Sequence, residues 1–195
     1  MEAPGSTVER ANAAVATTRS VDVIVLDGYV FETSLQRSFR DRAPLTVVDD
    51  LCLPADCDLA VNPSPGGEDM RPSAAGAFLG GAAYALLRAS FLEARETVLR
   101  RGSPPRTFLV STGATDLDGI GERVTAQLLQ SDATVEVIRV VGPNGTTTTP
   151  DDGKRERLLV APESLAEALS SATIYVGAAG TTAVQAACVG IPAVV

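Results

Sequence analysis

The chain has 195 residues, of which 45% are hydrophobic and 21% are charged, so it can bury the core of one large domain or of two small ones. Its 16 Lys and Arg residues against 24 Asp and Glu residues give a formal net charge of −8, which, without any basic stripe interleaved with aromatic residues, argues against nucleic acid as a partner. No apolar run approaches the roughly 20 residues of a membrane span, and the hydrophobic content argues against a disordered chain.

The first twenty residues lack the continuous apolar core of a secretory signal and carry acidic residues early, so we expect a cytoplasmic protein. Cys52, Cys57 and Cys188 form no CxxC pair, and the odd number of cysteines suits a reducing compartment. We therefore expect buried thiols, no metal site and no cofactor. The chain contains no histidine, the side chain that titrates most readily near neutral pH.

Hydrophobic periodicity predicts the elements in chain order, beginning with a helix over 8–20 and a buried strand over 21–29. A helix over 32–42, a strand over 45–50 and a strand from residue 57 that runs into a loop follow. A long helix over 84–102 ends at Gly102, and the SPPR cluster after it is a chain breaker. We place a domain boundary between Arg101 and Gly102.

The same pattern restarts beyond this boundary. Strands are predicted over 107–113, 134–142, 157–162, 173–177 and 191–195, with helices over 117–130, 162–170 and 181–190 and a polar loop over 143–157. Apolar strands that alternate with helices are typical of parallel sheets covered by helices. We predict an α/β protein of two Rossmann-like units, residues 1–101 and 102–195; a single long sheet is the alternative.

Polar or small residues follow most of the predicted strands. Because ligands of such sheets bind beyond the carboxyl ends of the strands, these residues are candidates for a site in a cleft between two domains. They are Asp27, Gly28 and Tyr29; Asp49 and Asp50; Asn62; Gly113 and Asp116; Gly142; and Gly177 to Thr182. The alternative is that they only form turns, which are polar in most proteins.

Two of these features go beyond turn chemistry. Asp49 and Asp50 end one apolar strand, and two neighbouring carboxylates suit acid/base chemistry or hydroxyl recognition; one buried helix cap beside one solvated acid explains them equally. In GAAGTTAVQ, small residues let the backbone approach a ligand, and the first amides of the helix opened by Thr181 and Thr182 could bind an anion such as phosphate. Threonine as a simple helix N-cap is the equal alternative.

Several segments match a known family in their order and spacing. DGYVF, VVDDL, CDLAVNP, GGAAYALLRASF, STGATD and AAGTTAVQAACVGIP resemble the motifs of the UDP-sugar hydrolases of pseudaminic acid biosynthesis and their spore-coat-polysaccharide relatives, from about Asp22 to Val195. These proteins have the GT-B glycosyltransferase fold. The resemblance implies a two-domain enzyme that binds a UDP-sugar in the interdomain cleft. It would release UDP from a diacetamido-trideoxy sugar by attack of water at the anomeric carbon, without a metal.

The resemblance also implies roles for individual residues. On the sugar side it implies Asp27, Tyr29, Asp49, Asp50, Asn62, Tyr84 and Arg88. On the nucleotide side it implies Ala179, Gly180, Thr181 and Thr182 at the diphosphate, Gln185 in the place of a Glu that contacts the ribose, and Gly113 and Asp116.

The chain departs from the family at the general base, which is a histidine in a Gly-rich loop near the N-terminus. This chain has no histidine, so the catalytic residue is unknown, with Asp27 and Asp49 as candidates. We expect the middle part of a longer UDP-sugar hydrolase, or a truncated gene product, with both units incomplete and hydrolysis lost. The alternatives are a GT-B glycosyltransferase that uses a UDP-sugar, a binding module without catalysis, and an α/β protein whose motifs only build turns. No protein partner is predicted.

Overall fold

The computed structural model describes residues 9, 13, 16, 21–28, 31–102, 105–113, 116, 118–143, 145, 147 and 155–195. Of the helix predicted over 8–20, Glu9, Ala13 and Ala16 are described, and they are helical. The rest of that helix, Tyr29 and most of the loop predicted over 143–157 lie outside the described residues.

The chain divides into two compact units, residues 1–86 and 87–195. The first unit contains a parallel sheet with the strand order β1-β2-β3-β4 and a helix, α1, between β1 and β2. Its elements are β1 (Ile24–Asp27), α1 (Thr33–Arg40), β2 (Leu45–Val48), β3 (Cys57–Asn62) and β4 (Ala75–Gly80), with short 3-10 helices at Gly67–Asp69 and Ala82–Tyr84.

The core of the first unit is formed by residues of its sheet and of α1. Leu26, Leu45 and Val47 on the strands pack with Phe39 of α1, and all four are buried. Side chains alternate between the two faces of a strand, and Val25 on the opposite face of β1 is 58% exposed. The strand predicted as buried over 21–29 is therefore buried along one face only of β1.

Strand β4 was not predicted from the sequence. Four of its six residues, AGAFLG, are Ala or Gly, and none is one of the β-branched residues that mark a strand. The structure gives a reason for Gly76, because a Cβ there would lie 2.9 Å from the backbone oxygen of Asp58 on the neighbouring strand. Close backbone approach favours glycine, and because glycine has a low strand propensity, the sequence did not indicate this strand.

The second unit is also a parallel α/β unit, with the strand order β7-β6-β5-β8-β9. Its elements are α2 (Ala89–Arg100), β5 (Thr107–Ser111), α3 (Ile120–Ser131), β6 (Glu136–Val141), β7 (Glu156–Val160), α4 (Ala166–Ser171), β8 (Ile174–Gly177), α5 (Thr181–Val189) and β9 (Ala193–Val194). The predicted α/β class with two Rossmann-like parallel-sheet units is confirmed.

Helix α2 packs on the second unit, although the sequence analysis placed it in the first. Phe91 and Ala94 are buried in the core of the second unit. Three arginines of this segment also donate to backbone carbonyl groups there. Arg88 binds Glu163 at 2.9 Å, Arg95 binds Cys188 at 3.2 Å, and Arg101 binds Ser170 and, at 2.7 Å, Ala172.

The compact units therefore divide after Leu86, whereas the sequence analysis drew the boundary after Arg101. Helix α2 ends at Arg100, and the boundary predicted at Gly102 lies within the second compact unit. A Pro-rich segment marks the end of a helix, but only the burial of the helix shows which core it belongs to.

A buried ion pair connects β6 and β7. Arg139 Nε donates to Glu156 Oε1 at 2.7 Å, and the two side chains are 1% and 0% exposed. Removing one partner of such a pair would leave an uncompensated buried charge, so we expect either single truncation to be strongly destabilising. Every helix in the described part of the chain is too short or too polar to cross a membrane.

An arginine–aspartate network on the first unit predicts a pH dependence of stability. Hydrogen bonds from Arg37 and Arg40 lower the pKa of Asp56 below its ordinary 3.8, and the Leu45 amide together with Arg40 lowers the pKa of Asp58. The stability that these carboxylates contribute is present above pH 3.8 and is lost as the pH falls through their lower folded values.

We expect Asp56→Asn to lower the urea midpoint near pH 6, and the difference from the unmodified protein to shrink as the pH falls below about 4. Circular dichroism during urea titrations at pH 6 and pH 3 measures the midpoints of the two proteins. Because the network is exposed, the difference should be small and should shrink in 1 M salt as well. A difference that is unchanged between pH 6 and pH 3 would contradict the assignment.

Candidate functional site

The topology of the second sheet marks one position as the place for a ligand. From β5 the chain winds outward to β6 and β7, and from β8 it winds in the opposite direction to β9. Strands β5 and β8 are hydrogen-bonded neighbours, so the winding reverses between their carboxyl ends. In open α/β sheets, ligands bind outside the carboxyl ends of the strands at such a switch point. The segments after β5 and β8 are therefore the candidate site of this unit.

The segment after β8 leads directly into α5. The amide of Ala178 donates to the Ser111 carbonyl group at 3.3 Å, and the amide of Gly180 donates to the Ala178 carbonyl group at 2.8 Å. Ala178, Ala179 and Gly180 are exposed. These bonds hold a tight turn at the switch point with its backbone open to solvent.

Helix α5 begins without a side-chain cap. Its N-cap residue is Gly180, and Thr181 and Thr182 are the first two residues of the helix. The alternative in which a threonine is the N-cap is therefore not what the structure shows. The first amides of a helix have no partner within it and carry partial positive charge, so this end of α5 can bind an anion. Thr181 is exposed, and Gln185, one turn later on the same side, is half-buried.

The segment after β5 is arranged differently. The carboxylate of Asp116 accepts hydrogen bonds from the amides of Ile120 and Gly121, both at 3.0 Å. A carboxylate of the chain itself therefore already occupies the start of α3. Gly113 has a φ of 106°, a backbone conformation that favours glycine. Asp116, predicted on the nucleotide side, thus holds the turn after β5, and its carboxylate is engaged there.

Tyr175 and Gly177 lie where the ends of β5 and β8 meet. The sequence analysis named Gly177 as a candidate but not Tyr175. The Tyr175 hydroxyl lies 3.0 Å from the Ser111 carbonyl oxygen and 3.1 Å from that of Ala178. A Cβ on residue 177 would collide with both the Ser111 oxygen and the Tyr175 hydroxyl. A tyrosine followed two residues later by glycine on one strand face is the signal that could have identified this arrangement.

In the first unit, Asp49 anchors a loop. Its side chain is buried, and its two oxygens accept from the amides of Leu51 at 2.8 Å and Leu53 at 2.5 Å. Asp50 is exposed. The arrangement resembles the alternative of one buried cap beside one solvated acid, with a loop in place of a helix. Both oxygens of Asp49 are thus committed to backbone amides, which leaves this residue poorly placed to act as a base.

Asn62 also organises a loop. It is 1% exposed, its Oδ1 accepts from the Ser64 amide at 3.1 Å, and its Nδ2 lies 3.8 Å from the Met70 sulfur. A Cβ on Gly67 would lie 2.6 Å from Asn62 Oδ1, so the loop packs tightly on this amide. Asn62 therefore shapes the carboxyl end of β3.

A buried glutamine that the sequence analysis missed supports the segment after β1. Gln36 Nε2 donates to the Phe31 carbonyl group at 2.7 Å, and Gln36 Oε1 accepts from the Asp56 amide at 2.8 Å. Its position on the buried side of α1 gave no signal, because polar residues on a helix are normally solvated.

The remaining predicted sugar-side residues are distributed over the two units. Asp27 is exposed at the end of β1, and Tyr84 is 42% exposed after β4. Arg88 belongs to the second unit, where it donates to Glu163. Tyr29 lies outside the described residues. Among the side chains that the structure describes, no group of three or more Cys, Asp or Glu residues could hold a metal ion.

No protein-family model matches the sequence, and no curated protein matches it significantly. Solved structures, by contrast, share its fold. MurG from Acinetobacter baumannii superposes with a TM-score of 0.57 at 17% identity, over 95% of this chain and 54% of that one. A protein described as a UDP-N-acetylglucosamine 2-epimerase from Listeria monocytogenes gives 0.54 at 12% identity, over 95% and 59%.

The spinosyn rhamnosyltransferase SpnG, complexed with thymidine diphosphate, gives a TM-score of 0.54 at 16% identity, over 95% of this chain and 56% of that one. The chain thus spans between 54% and 59% of the length of these structures. At these identities the similarity establishes the fold, which is GT-B glycosyltransferase-like with Rossmann-like units.

The role assigned to Asp49 predicts a loss of stability on truncation. We expect Asp49→Ala to lower the free energy of unfolding by about 1–3 kcal/mol, because the partly buried hydrogen bonds from the amides of Leu51 and Leu53 to the Asp49 carboxylate are lost. Urea denaturation measures the change, and Asp50→Ala at the exposed neighbour should cost roughly 0.5 kcal/mol or less. Equal losses for the two variants would show that the loop does not depend on the Asp49 carboxylate.

Proposed function

We propose that the second unit binds the diphosphate of a sugar nucleotide at the start of α5. The observation that carries this proposal is the exposed, uncapped N-terminus of α5 at the β5/β8 switch point. At the start of α3 and of α4, by contrast, backbone amides donate to side chains of the preceding loops. Asp116 binds the start of α3, and Ser164 Oγ accepts from the Ala166 amide at 3.2 Å at the start of α4.

Local amides, and not the overall charge, must supply the attraction for the anion. The chain carries a net charge of −8, which repels a diphosphate at long range. Backbone amides at a helix start favour an anion at short range and let the chain approach it closely at Ala179 and Gly180. Gln185, one turn along α5 from Thr181, is the candidate for the ribose hydroxyls.

The similar structures support a nucleoside diphosphate as the ligand. One carries UDP-N-acetylglucosamine in its name, and another is complexed with thymidine diphosphate. The sequence resemblance selects UDP and, within it, a UDP-linked diacetamido-trideoxy sugar as the first substrate to test. The corresponding activity is hydrolysis that releases UDP and the free sugar.

Glycosyl transfer from a UDP-sugar is the second candidate, because one of the similar structures is a rhamnosyltransferase. Hydrolysis yields the free sugar, whereas transfer yields a glycosylated acceptor. Mass spectrometry of reactions with and without an acceptor distinguishes these two products.

Asp27 is the remaining candidate base, since both carboxylate oxygens of Asp49 accept hydrogen bonds from its loop. Activity that is unchanged in Asp27→Asn would remove Asp27 from the mechanism.

Position 180 allows a sharp test of diphosphate binding. The residue has extended backbone, and a Cβ there would meet nothing within 4 Å, so side chains can be added without strain. In Gly180→Asp, the new carboxylate should cap α5, raise the free energy of unfolding by a few tenths of a kcal/mol, and exclude the diphosphate from the same amides.

The matched control is Gly180→Ala, which adds a Cβ without a charge. Titration calorimetry should show UDP binding to the unmodified protein, weaker but measurable binding to the Ala variant, and none to the Asp variant. Thermal unfolding should show that the Asp variant is no less stable than the Ala variant. Undiminished UDP binding by the Asp variant would place the diphosphate elsewhere.

A further inference from the structure

We propose that Tyr175 is a positioning residue of the diphosphate site, whose hydroxyl holds the turn after β8 against the end of β5 so that the first amides of α5 face the ligand. This inference rests on the proposed function of the second unit. In this proposal, a buried tyrosine of β8 determines the position of the turn Ala178–Gly180.

The hydroxyl of Tyr175 lies at the meeting point of two strand ends. It is 3.0 Å from the carbonyl oxygen of Ser111, the last residue of β5, and 3.1 Å from that of Ala178, the first residue after β8. Its one proton therefore serves two acceptors, one on each side of the switch point. The same two carbonyl groups also accept the backbone bonds of the turn, from the amides of Ala178 and Gly180.

Glycine at position 177 makes this arrangement possible. Tyr175 and Gly177 lie on the same face of β8, and the space that a side chain on 177 would need is filled by the Tyr175 hydroxyl and the Ser111 carbonyl oxygen. The tyrosine thus lies along the strand and ends beneath the turn. A larger residue at 177 would displace the hydroxyl from both acceptors.

The environment keeps the hydroxyl in its donor form. Tyr175 is 1% exposed, and burial raises the pKa of its phenol above the ordinary 10.0, so the proton is retained at neutral pH. Without it, the 3.3 Å hydrogen bond from the Ala178 amide to the Ser111 carbonyl group is, among the contacts of the described residues, what ties the turn to the end of β5 beyond the strand ladder. A bond of that length is weak, so the turn should move relative to β5.

The test compares Tyr175→Phe with Ile138→Val. Ile138 is buried on β6, a strand that does not pair with β8, and its truncation provides a matched loss of stability away from the turn. We expect the Phe variant to bind UDP roughly fivefold more weakly in titration calorimetry, the effect of one hydrogen bond, and the Val variant to bind as the unmodified protein does. Thermal unfolding establishes that the two variants lose comparable stability.

Hydrogen exchange adds a measurement that a general loss of stability would not reproduce. Without UDP, peptides covering residues 178–184 should exchange faster in the Phe variant than in the Val variant, while peptides from α4 should exchange equally in both. If the Phe variant does not fold, 3-fluorotyrosine is introduced at position 175 and at no other position. This residue keeps the hydroxyl and adds a fluorine atom as an NMR probe. Its fluorine resonance should then shift when UDP is added.

The outcomes separate this inference from the function on which it rests. If the unmodified protein binds UDP and the Phe variant binds it equally well, or if the fluorine resonance does not move, Tyr175 has no positioning role and the proposed function stands. If the unmodified protein does not bind UDP, the proposed function fails and the assignment of Tyr175 to a diphosphate site fails with it.

Discussion

The second unit depends on how closely the chain at Gly177 approaches the carbonyl group of Ser111. Any side chain at position 177 would collide with that oxygen, so β8 reaches the end of β5 only because a glycine stands there. The approach brings the turn after β8 to the switch point of the sheet and leaves room for the Tyr175 hydroxyl beneath it. One steric constraint thereby places the start of α5 where ligands of open α/β sheets bind.

The polar residues at the strand ends divide into those that the fold uses and those that it leaves open. Asp49, Asn62 and Asp116 direct their side-chain oxygens to backbone amides of the loops around them. These side chains hold the loops in place, and each of the oxygens involved already accepts a hydrogen bond from the chain itself. The turn Ala178–Gly180 carries no side chain that could do the same for α5, so the amides of Thr181 and Thr182 at the start of that helix remain for a ligand. The contrast is the physical basis for choosing α5 over the other helix starts.

The sequence predicted much of the fold because hydrophobic periodicity reports directly on burial. It did not predict β4, in which Gly76 allows close approach to β3, or the packing of α2, which depends on the partners of Phe91 and Ala94. The candidate site was predicted only as strand-end positions. Which of those side chains are consumed by loop amides, as that of Asp49 is, depends on distances between atoms that residue types do not encode.

The central claim is that an anion binds the first amides of α5, and amide chemical shifts measured by NMR during a UDP titration test it most directly. The account predicts that the largest shift changes fall on residues 179–183 and that the amides of Ile120 and Gly121, already bound by Asp116, change little. Largest changes at the start of α3, or no changes in the second unit at saturating UDP, would contradict it.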